Sequence, residues 1–199
     1  MAAAAPPLPV DNPRSPAVAL DSEWALMSNE WRGHRQLVGR FHSDDPDVLQ
    51  VVVHDGGPRM TDKRPELVWV RVLAAHANTF DAEVLNEPRQ LMTVKGRDRI
   101  QFVVPSSGEH PIMVRQKYLD ERAQWIINAC STCGLSELFD APSDLITRTF
   151  PGLKPEDVPE AFTAFCGVCG GVQVIESTSA DDVIQPKTGA GRKWWQIWK

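Results

Sequence analysis

Several common functional signatures are missing from this chain. No stretch approaches the roughly 20 consecutive apolar residues a bilayer-spanning helix needs, so no membrane span is expected. Positive charge is in deficit: 21 Lys and Arg face 26 Asp and Glu, for a net charge of −5. A dedicated nucleic-acid binder is usually strongly basic, so nucleic acid is disfavoured as a partner, though a local basic patch stays open. There is no Gly-x-Ser-x-Gly elbow, Walker loop, dinucleotide fingerprint or His-Glu-x-x-His, which leaves the chemistries built on them without support. No catalytic or cofactor-binding residue can be singled out from the 26 acidic side chains. The N-terminus has an Ala run with no positive charge ahead of it, broken by Pro6, Pro7 and Pro9, so it does not read as a secretory signal.

Cysteine is scarce and ordered. The four form two pairs, Cys130-Ser-Thr-Cys133-Gly and Cys166-Gly-Val-Cys169-Gly-Gly. Two residues between thiols let both sulfurs face one ion, and the following Gly lets the backbone fold back beneath it. Two such knuckles would make a closed tetrahedral site of four thiolates, so structural Zn²⁺ held by Cys130, Cys133, Cys166 and Cys169 is expected. The main rival is a redox dithiol, which needs a Cys-x-x-Cys at a helix N-terminus, and iron–sulfur binding or unliganded thiols are the remaining readings. Reduced metal ligands fit the cytoplasm. His34, His42, His54, His76 and His110 are scattered over strand ends and turns. His42 with Asp44, Asp45 and Asp47 could be drawn as a second metal cluster but reads as a solvated turn, since Asp around Pro is ordinary turn chemistry.

The segment 1–20 is Ala- and Pro-rich and is expected to be a disordered arm. Asp21 or Ser22 could cap a short helix carrying Trp24, Met27 and Trp31, ending at Gly33. A β-rich region is expected over 31–115. Gln36–Phe41 and Val48–His54 read as a hairpin around Ser43–Asp47. Strands follow at Leu67–Leu73, Thr79–Leu85, Arg99–Val104 and Ile112–Arg115, with Phe80, Ala82 and Val84 and then Ile100, Phe102 and Val104 on one face. From Lys117 the period changes. Leu119, Ala123, Ile126, Ile127 and Cys130 form one helical stripe, so a helix to Ala129 should deliver Cys130 to the metal. A short helix after Pro142-Ser143-Asp144, a Pro-rich passage over Pro151–Pro159 and a strand at Val172–Ile175 complete the region 116–177. The fold class expected is α+β: a small twisted sheet or SH3-like barrel, then a helix and a four-cysteine zinc-knuckle module.

Leu67-Val68-Trp69-Val70-Arg71-Val72, the strand ending Leu85-Asn86-Glu87-Pro88, and Gly96-Arg97-Asp98-Arg99-Ile100-Gln101-Phe102 resemble a bacterial family, the domain-of-unknown-function family numbered 2314. Its pattern runs W-V-x-V, L-N-x-P and G-D-x-V-x-F; here Arg97 interrupts the direct Gly-Asp. The resemblance spans about Glu66–Val104. It implies a compact β-rich domain in a bacterial cytoplasmic protein, with the cysteine module, zinc-ribbon-like, as an addition. It supplies no activity and no catalytic residues.

Residues 178–199 read as a flexible linker and a Trp-rich tail, Arg192-Lys193-Trp194-Trp195-Gln196-Ile197-Trp198-Lys199. As a helix, Trp194, Ile197 and Trp198 would share a face, with Trp195 beside them. Trp and Arg are the residues that most often anchor interfaces, and three Trp left in water would be unfavourable. A protein partner is therefore expected through the tail or an edge of the β-domain, with docking on its own β-domain and interfacial membrane contact as rivals. The function expected is a non-catalytic, zinc-stabilised protein-binding or accessory protein, of immunity type among others. The alternatives are a nucleic-acid-binding zinc ribbon and an enzyme whose site is assembled from dispersed residues.

Overall fold

The computed structural model describes residues 30–106, 110–154 and 157–178. The N-terminal arm, Trp24, Met27, and the tail with Trp194, Trp195, Ile197 and Trp198 lie outside the described residues. A 3-10 turn, Glu30–Gly33, seats Trp31 in the core. Strands β1 (Phe41–His42), β2 (Asp45–Val53), β3 (Glu66–Ala75), β4 (Phe80–Val84), β5 (Arg99–Val103) and β6 (Ile112–Val114) follow in order. Each pairs antiparallel with the next, and β2 also pairs parallel with β6 at Val52 and Ile112, so β2–β6 close into a five-stranded barrel. Closure leaves none of these strands with a free edge along its length of pairing, which limits aggregation through open edges.

The barrel follows from alternation. Along β3, Val68, Val70 and Val72 are buried, and along β4 Phe80, Ala82 and Val84 are buried, while Asp81 and Glu83 stay half-buried on the outer face. These side chains meet Leu49, Val51, Val53 and Phe102 in one apolar core. The sheet therefore follows the period-2 pattern, with each inward residue burying its apolar area. The expected hairpin is present but tighter: β2 begins at Asp45, so only Ser43 and Asp44 make the turn.

The helix expected to run to Ala129 is shorter. Helix α1 spans Gln116–Arg122, and Trp125–Ile127 forms strand β7. Trp125 and Ile127 are buried and Ile126 is exposed, so this stretch obeys a period of two. Pairing with β9 (Val172–Ser177) decides it, because Ile127 lies opposite Ile175 and Trp125 opposite Ser177. Helix α2 (Pro142–Thr149) starts at its Pro, which tolerates the first turn because that N–H has no helical partner. The passage after it leads into strand β8 (Ala161–Phe165), which pairs with β9 (Val172–Ser177). The second sheet thus has the order β7-β9-β8. The architecture is α+β, dominated by strands with two α-helices among the described residues.

A second core gathers Tyr118, Trp125, Ile127, Leu138, Ile146 and Ile175 between this sheet and the helices. A third, smaller core joins Ile112 of the barrel to Leu135, Phe139, Cys130 and Cys166. Polar links reinforce that junction. The Gly57 N–H donates across it to Asp140 Oδ2 at 2.6 Å, and on the far side Gln173 Nε2 of the second sheet steadies Leu135 by donating to its carbonyl at 2.8 Å. Buried His54 stacks on Phe139 at 3.9 Å, and its Nε2 lies 2.9 Å from the Met113 carbonyl. Burial holds the ring neutral and pushes its pKa down to about 4, outweighing the hydrogen bond from Nε2 to that carbonyl, which acts to raise it.

Candidate metal centre

The four cysteines converge although 39 residues separate the outermost pair, Cys130 and Cys169. Cys130 follows β7, and the Cys166–Cys169 turn is the link between β8 and β9. The β7–β9 ladder runs on toward the sulfurs: Asn128 N–H donates to the Val174 carbonyl at 2.9 Å and Ser131 N–H to the Val172 carbonyl at 3.2 Å. The sheet thereby lays the first turn against the second.

The two turns are built alike. Gly134 N–H donates to the Cys130 carbonyl and Gly170 N–H to the Cys166 carbonyl, both at 2.9 Å. Cys130 N–H donates to the Leu135 carbonyl at 2.8 Å, and Cys166 N–H to the Gly171 carbonyl at 2.7 Å. Gly134 and Gly170 sit at φ 76° and 75°, the left-handed conformation that glycine takes without penalty. Each turn also directs backbone N–H groups at its sulfurs. Those of Thr132 and Cys133 face Cys130, and those of Val168 and Cys169 face Cys166. The Leu135 N–H faces Cys133, and the Gly171 N–H approaches Cys169 Sγ at 3.4 Å. Donors aimed at sulfur stabilise thiolates, the form a metal requires.

The sulfur positions suit one ion. All four ligand atoms lie within 4.8 Å of one another. Cys130 Sγ is 3.5 Å from Cys169 Sγ, and Cys133 Sγ is 3.6 Å from Cys166 Sγ. Sulfurs 2.3 Å from a tetrahedral zinc are about 3.8 Å apart, whereas a disulfide brings them to about 2.05 Å. The cysteines are free. These close pairs run between the turns, whereas a redox dithiol would close within one. Nor does either turn lead into a helix, since the first runs on through Gly134 and the second enters β9. This replaces the expectation that Cys130 ends a helix. The four cysteines can therefore hold a metal ion.

Burial of the centre is asymmetric. Cys130 and Cys166 are buried at 3% and 0% exposure, while Cys133 and Cys169 reach the surface. Burial raises the Cys130 thiol, but the N–H groups of Cys133 and Thr132 and the neighbouring thiols outweigh it and bring its pKa down to about 6. At Cys166 burial dominates and pushes the pKa up to about 12. Four thiols so close together cannot all ionise without a cation among them, because each thiolate opposes the next.

Two glycines that the cysteine motif alone did not mark as structural are required by contact. A Cβ on Gly171 would lie 2.8 Å from Cys130 Sγ, and one on Gly167 would lie 2.3 Å from the Phe139 ring. The Gly-Gly after Cys169 was the available signal for the first; the second needed the fold. His42 is not drawn into a cluster, since its Nδ1 accepts from the Asp44 N–H at 3.2 Å as part of the turn. Among the described residues, the four cysteines are the one His, Cys, Asp or Glu group arranged to hold a metal. Beside the second turn lies a cleft of about 520 Å³, lined by Lys63, Arg64 and Asp62 of the β2–β3 loop and by Gly167, Val168 and Gly170. No helix among the described residues is long and apolar enough to cross a membrane. No protein-family model matches this chain, and comparison with curated proteins and with solved structures finds no match.

Proposed function

We propose that this chain is a non-catalytic protein-binding or accessory protein, of immunity type among others, whose second sheet is held by structural Zn²⁺. The observation that carries the reading is the cage of four sulfurs within 4.8 Å, fed by matching turns and N–H donors. Zinc bound by four thiolates has no position left for water or substrate, which is the arrangement of a cross-link and not of a Lewis-acid catalyst. Binding would then rest on the Trp-rich tail or on the β-domain. Trp194, Trp195, Ile197 and Trp198 are the residues assigned to the partner. Membership of the family numbered 2314 is part of the same proposal, supported by the fact that Glu66–Val104 contains three consecutive barrel strands, β3 to β5.

The test is metal stoichiometry and its removal. The purified chain should carry one zinc, and Cys133→Ser should lose it and leave residues from about Ala129 onward open to protease. Zinc content unchanged by that substitution would refute the centre. If zinc is confirmed, affinity capture with and without Arg192–Lys199 separates a tail-borne partner from a barrel-borne one. A second reading, nucleic-acid binding beside the cysteine module, gains one observation: the fold brings Lys63 and Arg64 to the second turn, whose own sequence is uncharged. A gel shift that weakens steeply with salt would favour it.

A further inference from the structure

A groove of about 560 Å³ lies between β7 and helix α2, with Gln124, Trp125, Ile146, Phe150, Leu153 and Val158 in its lining. Phe150, Leu153 and Val158 are 41%, 39% and 47% exposed there. Large apolar side chains gathered around a concavity mark a binding site more often than scattered ones do. We propose that this groove seats the chain's own Trp-rich segment, Trp194–Trp198.

The place where the described chain leaves the fold selects that occupant. Thr178 N–H donates to the Gln124 carbonyl at 2.8 Å, and Thr178 Oγ1 reaches the Ala123 carbonyl at 3.2 Å. Gln124 is itself part of the lining, so the chain departs at the groove's edge. A flexible connection as long as residues 179–193 spans roughly 20 Å, and ends tethered at that range meet at millimolar effective concentration. Three Trp and one Ile supply the apolar area that the groove lacks. Glu121 lines the groove and exposed Asp157 precedes Val158, against one lysine, Lys154. That sign suits the flanking Arg192, Lys193 and Lys199. A tail seated here is shielded from water, and a protein partner that uses the same Trp residues must draw it out, which makes the groove a competitor for the partner.

The inference goes beyond the zinc reading and is tested separately from it. Backbone hydrogen exchange is followed in the full chain as purified, in the triple variant Trp194→Ala, Trp195→Ala and Trp198→Ala, and in Leu153→Asp with Val158→Asp. Both changed groove side chains are already partly in water, and an unchanged far-ultraviolet circular dichroism spectrum with cooperative urea unfolding shows that each variant folds. The expected result is exchange at residues 146–154 about fivefold slower in the parent than in either variant, in a protein that stays monomeric. Equal exchange in all three overturns the proposal. So does protection centred on the outer face of the second sheet, where Ile126, Phe165, Val172 and Val174 are exposed. Protection that grows with protein concentration alongside a doubled mass overturns it too, because a second copy is then the occupant.

Discussion

Gly171→Ala tests the proposed metal centre at one atom. Gly171 precedes β9, and a methyl group there would stand 2.8 Å from Cys130 Sγ, 2.6 Å from Thr132 Oγ1 and 3.0 Å from Thr132 Cβ. Ordinary contact begins at about 3.5 Å, so something must move by roughly 0.7 Å. The backbone at Gly171 is poorly placed to yield. Its carbonyl accepts from Cys166 N–H at 2.7 Å, and the residues that follow it at once, Val172 to Val174, pair with β8. The displacement therefore falls on Thr132 and on the Cys130 sulfur. A zinc site tolerates ligand distances within about 0.2 Å, so this sulfur would be pushed out of place. Disturbing a ligand's support typically costs 10–100-fold in metal affinity, or about 1.4–2.8 kcal/mol.

Competition against a chromophoric chelator measures that loss directly. Gly170→Ala is the control. Gly170 also lies at positive φ, but nothing beyond its two chain neighbours stands within 4 Å of its added methyl group, so about 1–2 kcal/mol of backbone strain arises without a push on the sulfurs of Cys130, Cys133 or Cys166. That strain affects loaded and unloaded protein alike and should leave the zinc constant much closer to the parent value. A Gly171→Ala protein that binds zinc as tightly as the parent would show that Cys130 Sγ is not a ligand where the fold places it.

Two further predictions concern the junction between barrel and second sheet. Gly167→Ala drives a methyl group to 2.3 Å from the Phe139 ring, which stacked His54 prevents from retreating. Overpacking of this kind costs about 1–3 kcal/mol, so the melting temperature should fall by roughly 3–10 °C with zinc stoichiometry intact; an unchanged melting temperature would show that the ring has room. His54 links stability to pH. Its pKa is about 4 in the fold, against about 6.5 when unfolded, so between those values the unfolded chain binds more protons. Its contribution is fully present above pH 6.5 and is lost as pH falls, by about 2 kcal/mol at pH 5. His54→Gln can still donate to the Met113 carbonyl but does not titrate there. Urea unfolding at pH 7 and pH 5 should therefore show a smaller acid loss for the variant, with the cysteines contributing equally to both, and equal losses would exclude His54.

How far the sequence could be read depended on how local each decision was. The barrel strands β3 to β5 were legible because one buried and one wet face write a period of two over five or more residues. Strand β7 was not legible. It has three residues, and Leu119, Ala123, Ile126, Ile127 and Cys130 fit a helical stripe equally well. Its partner β9 lies some fifty residues on, so a long-range ladder overrode a local pattern. Strand β8 was hidden the same way, in a five-residue Ala-Phe-Thr-Ala-Phe run behind a Pro-rich passage. The convergence of the four cysteines could be expected from their paired spacing. The partners of Asp140, Gln173 and His54 could not, because each is set by a contact across 38 to 83 residues.

The position of the centre follows from these same contacts. A sheet of three short strands is near the lower limit of independent stability. Cys130 and Cys166 are core residues as well as candidate ligands, packed with Leu135, Phe139 and Ile112 of the barrel. The cage lies where β7 and the β8–β9 turn meet that core, so an ion held there would fasten the sheet to itself and to its neighbour at once. Chelation should therefore loosen the Phe139–His54 stack and the Gly57–Asp140 hydrogen bond, and not merely fray the two turns. A bound ion would then contribute at the seam between the sheets, where the apolar cluster is the smallest of the three.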